Sequence, residues 1–370
     1  MRHSGPIYLD YNATAPVQPG VAEAMVAALT GGGNPSSVHR TGRDARRLVE
    51  AARSSLSEHS GVRPQDIVFT SGGTEANRLA LTGTGRPRLL VSAVEHASVA
   101  AFSPPELVLP VDAAGRLDLA ALEKALAGQG RETLVSLMLA NNETGVIQPV
   151  AEASEIVHAA GALLHCDAVQ ALGKVPVDMA ALGADLISVS AHKIGGPAGV
   201  GALLLRPGLA LAANRAAGGQ EQGRRPGTEN LAGIAGFGAA LARLDTGLAD
   251  QPRQAALRDR LEAALTPAGA VIFGHEAPRL ANTSCIAMPG VPAETQVMAF
   301  DLAGFCVSAG AACSSGKVQT SPVLTAMGVP DDLAASAIRV SLGSGTAEAE
   351  IDAFADRWKH LFQRKNAASP

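Results

Sequence analysis

The feature that most constrains this chain is a rhythm of apolar runs. Ile67–Thr70, Leu89–Ser92, Leu134–Leu139, Leu163–Cys166, Leu186–Val189 and Val200–Leu205 are apolar almost throughout, without the alternation of a half-exposed strand. Strands of that kind are covered on both faces by helices, which requires a mostly parallel sheet. Helical patterns lie between and around them, at Val21–Leu29, Asp44–His59, Glu75–Leu81, Leu119–Leu126, Ala151–Ala160 and Glu229–Leu244. In Asp44–His59 the residues Ala45, Leu48, Ala52 and Leu56 form an apolar face. The stretch Asp245–Pro252 carries Gly, Asp and Pro and reads as a boundary, after which a helix at Arg253–Leu265 opens a smaller α+β region. The fold class is α/β.

Composition narrows the functions. A chain of 370 residues with 47% hydrophobic and 17% charged residues is long enough for two domains, or one large domain with a satellite, and is not a disordered chain. Only 3% of residues are aromatic, so Ala, Leu and Val fill the core and no stacking platform for single-stranded nucleic acid is expected. A net charge of −4 gives no electrostatic reason to expect nucleic acid or an anionic membrane as partner. The cysteines Cys166, Cys285, Cys306 and Cys313 form no CxxC pair and suggest no disulfide frame. The longest apolar region, Pro197–Ala213, is broken by Arg206 and two prolines, and Met1–Asp10 has no signal core. The expectation is a cytoplasmic protein in a reducing compartment.

Several polar residues fall just after the expected strands. Ser190-Ala-His-Lys193 ends the run 185–189 and leads into Gly195-Gly196-Pro197. A buried lysine loses its charge more readily, and a neutral amine can bond to an aldehyde; a solvated lysine at a strand end is the plainer reading. Ser190 and His192 bring donors suited to a phosphate. Asp167 closes its run, where it either pairs with a cationic ring nitrogen or caps the next turn. Thr70-Ser-Gly-Gly-Thr-Glu75 joins a strand to a helix, and small residues with Gly73 and Thr74 make either an anion site or an ordinary turn. His96 could stack on a flat ring and move protons, and Asn142 could serve a site edge; both residue types are also common in loops. Thr74, His96, Asn142, Asp167 and Lys193 share the edge where open α/β sheets bind ligands.

Cys313 stands in Ser308-Ala-Gly-Ala-Ala-Cys-Ser-Ser-Gly316, among small residues that suit an accessible thiol. The other cysteines read as packing. Arg339, in Ala337-Ile-Arg-Val-Ser341, has apolar neighbours and wants a carboxylate, from a substrate or from a structural ion pair. His165, Cys166 and Asp167 make no metal set, because neighbours on a strand point to opposite faces; no metal is expected.

As an ordered set these motifs resemble the cysteine desulfurases of the NifS/IscS type, class-V aminotransferase-like enzymes of fold type I that use pyridoxal 5'-phosphate (PLP). The resemblance spans nearly the whole chain, through Tyr8-Leu-Asp-Tyr-Asn-Ala-Thr14, Gly33-Asn-Pro-Ser-Ser37, Phe69-Thr-Ser-Gly-Gly-Thr-Glu75, Glu95-His96, Asn141-Asn-Glu143, Asp167-Ala-Val-Gln170, Ser190-Ala-His-Lys193, Gly218-Gly-Gln-Glu221, Gly227-Thr228, Cys313 and Arg339. It implies a large PLP-binding domain over 16–248, with a mostly parallel seven-stranded sheet. It also implies a small domain made of 1–15 and 249–370, carrying Cys313 and Arg339. By the same resemblance Lys193 bonds to PLP, Asp167 pairs with its ring nitrogen, Gln170 contacts the ring hydroxyl and His96 stacks on the ring. Gly73, Thr74, Ser190 and His192 hold the phosphate, joined by Thr228 across a homodimer interface. Asn12, Asn142 and Arg339 orient the substrate carboxylate. Cys313 takes sulfur from L-cysteine as a persulfide, leaving alanine. The sulfur passes to an acceptor, an iron–sulfur scaffold or a thiolation protein.

Competing expectations are a selenocysteine lyase, another PLP-dependent lyase or aminotransferase, or a catalytically silent platform protein. A nicotinamide enzyme has only Gly83-Thr-Gly85 in its favour. Lys317, beside Cys313, departs from the family pattern and bears on acceptor choice.

Overall fold

Apolar runs become strands, and the order of those strands creates the site. The computed structural model describes residues 5–212, 218–310 and 320–367, and structural statements below concern these. In chain order the first eight strands are β1 (Ile7–Tyr8), β2 (Ile67–Thr70), β3 (Arg88–Ser92), β4 (Val108–Leu109), β5 (Thr133–Met138), β6 (Leu163–Asp167), β7 (Leu186–Ser190) and β8 (Gly201–Leu205). Seven of them form one sheet in the order β2-β8-β7-β6-β5-β3-β4. All the pairings from β7 to β4 are parallel, whereas β8 runs antiparallel to both of its neighbours. The seventh strand, β4, has two residues, too short for any periodic pattern to reveal it.

Both faces of this sheet are covered. Successive side chains of a strand point to opposite faces. Leu164 and Phe69 accordingly join one apolar cluster and their neighbours Leu163 and Val68 another. The larger cluster receives the helices α1 (Val21–Gly31) and α2 (Arg40–Ser60), which pack with the helix Leu231–Leu241. In α2 the buried face is Ala45, Val49, Ala52 and Leu56. Leu48, expected on that face, is exposed; Val49 is four residues beyond Ala45 and lies over it on the helix, whereas Leu48 falls at the edge. A third helix, α3 (Gly73–Gly83), starts three residues after β2.

The remaining strands are β9 (Val271–Phe273), β10 (Thr283–Ala287), β11 (Phe305–Cys306), β12 (Ser308–Ala309) and β13 (Ala337–Ser341). Four make an antiparallel sheet in the order β12-β13-β10-β9, and β11 pairs in parallel with β1. The N-terminal segment thus returns to the C-terminal part: Leu9 is buried in one cluster with Phe300, Phe354 and Trp358. That return carries Asp10 and Asn12 to the sheet edge. Cys166 and Cys285 are fully buried, as packing residues should be, while Cys306 on β11 is only half-buried. No helix among the described residues is long and apolar enough to cross a membrane.

Candidate active site

Because β2, β3, β5, β6 and β7 run the same way, the residues that follow them gather on one edge. A cavity of about 350 Å³ opens there. Its walls include Thr74 after β2, His96 after β3, Asn142 after β5, Asp167 at the end of β6 and Lys193 after β7. Asn12, Gly73, Gln170, Ser190, His192 and Arg339 line the same cavity. Thr228 does not: it lines a separate cavity with Ser71, Glu221 and Arg225. Cys313 lies outside the described residues.

Lys193 ends a single tight turn after β7, with Gly195 at φ 77° behind it. Its Nζ donates to the backbone carbonyls of Asn12 at 2.5 Å and Ala13 at 2.9 Å. A second lysine, Lys174, sits close by and was not singled out in the sequence, where it looks like any loop lysine. Its Nζ donates to Asn12 Oδ1 at 2.8 Å and Gln170 Oε1 at 2.9 Å. Burial, then the charges of Lys193 and Arg339, hold Lys174 well below the usual lysine range. Asn12 is the hub of this corner. Its Oδ1 also accepts from Asn282 Nδ2 at 3.1 Å, its Nδ2 donates to Thr283 Oγ1 at 2.9 Å, and its carbonyl accepts from Gln170 Nε2 at 2.8 Å. The side chains of Asn12 and Gln170, expected to touch substrate and cofactor, are thus held by the protein's own partners.

Asp167 is buried, and both of its oxygens are engaged. Oδ2 accepts from Asn77 Nδ2 at 2.7 Å and Oδ1 from the Val169 backbone N–H at 3.0 Å. Asp167 thus caps its turn and at the same time lines the cavity. Glu95 lies beneath, with Oε1 accepting from the Met138 N–H at 2.6 Å; burial, then the charge of Asp167, pushes its carboxyl well above the usual range. His96 caps the short helix Ala97–Ala100. His192 bonds through Nδ1 to Thr14 Oγ1 at 2.7 Å, and burial followed by the Lys193 charge lowers its pKa to about 4, so it serves as a neutral partner.

Arg339, which is 4% exposed, also lines the cavity. Its Nη2 donates to Asp10 Oδ1 at 2.7 Å and its Nη1 to the Asn142 carbonyl at 3.1 Å, while Nε is buried without a partner. Asp10 Oδ2 accepts from Ser308 Oγ at 2.7 Å. The structural ion pair that is the alternative reading of Arg339 is present, with Asp10 of the N-terminal segment. Asn142 contributes its backbone carbonyl to this pair.

The donor set fits PLP. A cationic ring nitrogen needs a buried carboxylate, and Asp167 on the cavity wall would supply one. A phosphate needs backbone N–H groups approached closely, and α3 begins at Gly73, where a Cβ would stand 2.6 Å from Val169 Cγ2. The amine-bearing Lys193 and the guanidinium-bearing Arg339 line the same cavity.

Fold and cavity together define a class of protein. Residues 7–354 match the Aminotransferase class-V family, and the chain belongs to it. Within that family its relatives are cysteine desulfurases, which are PLP-dependent enzymes, and the chain is of that kind. It is 44% identical over 381 residues to a cysteine desulfurase of Cereibacter sphaeroides, covering 98% of this chain and 97% of that protein. It is 42% identical over 383 residues to a cysteine desulfurase of Bradyrhizobium diazoefficiens, covering 98% and 96%. Among solved structures, a NifS-like protein of Rickettsia africae superposes with a TM-score of 0.89 at 36% identity, covering 97% of this chain and 99% of that one.

Proposed function

We propose that this chain removes the sulfur of L-cysteine, releasing L-alanine and leaving a persulfide on Cys313 for an acceptor protein. The observation that supports this reading is the meeting of the Lys193 amine, the Asp167 carboxylate and the Arg339 guanidinium on the walls of one cavity. When bound, PLP supplies an electron sink at the carbon bearing the amino group.

Lys193 holds the cofactor through its amine and afterwards moves protons at the substrate carbon. Two of its present partners are backbone carbonyls, neutral acceptors that it can leave without stranding a charge on them. Asp167 keeps the ring nitrogen protonated, and the N-terminus of α3 with Thr74, Ser190 and neutral His192 takes the phosphate. Arg339, steadied by Asp10, orients the substrate carboxylate from the cavity wall. His96 covers the ring and trades protons. The Cys313 thiolate attacks the cysteine sulfur: an S–S bond forms, the C–S bond breaks, and its electron pair stays with carbon, where a proton completes alanine. Thr228 belongs to this reading as a phosphate contact donated by a second copy, so the unit is a homodimer. The acceptor is an iron–sulfur scaffold or a thiolation protein, and the setting is the cytoplasm.

The test is L-cysteine with reductant, alanine assayed alongside the visible absorption of the bound cofactor. The parent chain should form alanine. Cys313→Ala should keep the absorption and lose alanine formation by about 100-fold or more. Alanine formed by Cys313→Ala at the parent rate would overturn the assignment of the nucleophile.

A further inference from the structure

Asp167 and His96 leave different strands, yet an unbroken run of hydrogen bonds joins them. Asn77 Nδ2 donates to Asp167 Oδ2 at 2.7 Å and to Ser98 Oγ at 3.0 Å. Ser98 Oγ lies 2.8 Å from His96 Nδ1, and the Ser98 backbone N–H donates to that same nitrogen at 3.1 Å. Asn77 is 1% exposed, and its Oδ1 is buried without a partner.

The direction of every bond follows from the two ends. A carboxylate only accepts, so the Asn77 amide must turn Nδ2 toward Asp167. The stranded Oδ1 agrees: the amide is oriented by its two donors, at the cost of its acceptor. The second hydrogen of Nδ2 occupies a lone pair of Ser98 Oγ, and the hydroxyl proton is left to point at His96 Nδ1. From the other end, a backbone N–H can only donate. Nδ1 therefore faces two donors and must be the bare nitrogen, which leaves the ring hydrogen on Nε2.

We propose that Asp167, acting through Asn77 and Ser98, holds His96 as the neutral tautomer protonated on Nε2, so that His96 exchanges protons with the site through Nε2. Asn77 and Ser98 are its positioning residues. An imidazolium would need Nδ1 to donate, and there it meets an N–H that cannot reverse and a hydroxyl whose reversal Asp167 opposes through Asn77. Glu143 is a further acidic group whose field reaches His96, and burial favours its neutral form. The significance for catalysis rests on the reading of His96 as the acid–base group of this site; the tautomer does not depend on which substrate is used.

The test is ¹⁵N NMR of the full chain labelled at histidine, with His96 assigned by the signals missing in His96→Gln. Near neutral pH the parent should show Nε2 protonated and Nδ1 bare. Ser98→Ala removes the hydroxyl donor, and Asn77→Leu removes the link to Asp167 at similar volume. Each should lower the ratio of the Nε2-protonated neutral ring to all other ring forms by about fivefold to tenfold, the worth of one hydrogen bond. Ser98→Thr, which keeps the hydroxyl, should restore it. The acid limb of the kcat/KM profile should move to higher pH in Ser98→Ala and return in Ser98→Thr. A hydrogen on Nδ1 in the parent overturns the proposal, and so does an unchanged ratio in both folded variants. If the ratio responds as stated but no alanine forms from cysteine, the tautomer proposal stands and the functional reading falls.

Discussion

Replacing Arg339 by lysine separates the charge of this residue from its geometry. Two of the five guanidinium N–H donors are spent, on Asp10 Oδ1 at 2.7 Å and on the Asn142 carbonyl at 3.1 Å. The guanidinium stands on the cavity wall, where a substrate carboxylate would meet it. An ammonium is a point charge with no fork, so it can keep Asp10 or serve the substrate, but not in the same planar arrangement. A hydrogen bond to a charged group contributes about 1.5–3 kcal/mol, which predicts a fall in kcat/KM for cysteine of about 10- to 100-fold in Arg339→Lys. The contact is made to substrate and transition state alike, so the loss should fall on KM. Arg339→Leu should lose more and also destabilise the fold, because Asp10 then keeps only the Ser308 hydroxyl at 2.7 Å among its side-chain partners. Steady-state alanine formation measures the first effect and urea unfolding the second. If Arg339→Lys stays within about threefold of the parent kcat/KM while folded, Arg339 does not bind the substrate carboxylate.

Two further predictions concern the frame of the site. Arg53 is buried against Glu221, with two 2.9 Å contacts, and also donates to the Ile67 carbonyl at 2.6 Å. Arg53→Met would strand a buried carboxylate, and urea unfolding should show a loss of about 3–5 kcal/mol; a loss below about 1 kcal/mol would mean the pair carries no such strain. His165 is fully buried between Ser136 Oγ at 2.8 Å and Ser188 Oγ at 2.9 Å, and burial lowers its pKa from 6.5 to about 4. Below pH 6.5 the unfolded chain takes a proton that the folded one refuses. Stability should therefore drop as pH falls to about 4, by about 3 kcal/mol in all, and His165→Asn should lack that share of the slope. An identical slope in parent and variant would refute the assignment.

The sheet was legible because burial on both faces writes a continuous apolar run. Ile67–Thr70 is the strand the run marks, and Leu163–Cys166 and Leu186–Val189 each gain one residue, Asp167 and Ser190. Those two additions have a physical reason. The last residue of a parallel strand still joins the ladder, but its side chain already faces the ligand edge, so it is polar and looks like the start of a loop. The two-residue β4 has no period to detect. Leu48 and Val49 show the limit of reading a helix face from spacing alone: adjacent apolar residues compete for one stripe, and packing against the helix Leu231–Leu241 decides which is buried.

Site residues were legible where a motif brings chemistry to a strand end, and silent where the partner is remote in sequence. Lys193, Asp167 and Arg339 announce themselves by a charge beside an apolar run. Nothing near Asn12 tells that its amide is committed to Lys174, Asn282 and Thr283, two of them about 270 residues away. Nor does anything near Asn77 or Ser98 tell that they join Asp167 to His96. In this geometry a plain contact and a functional role do not exclude each other. Asp167 caps its own turn through Val169 and receives Asn77, and Arg339 makes a structural ion pair while leaving Nε unpartnered. A group that must hold one orientation in a cavity has to be bonded on its other side. The ordinary contacts that argue against a functional role in the sequence are, in the fold, what would let the residue perform it.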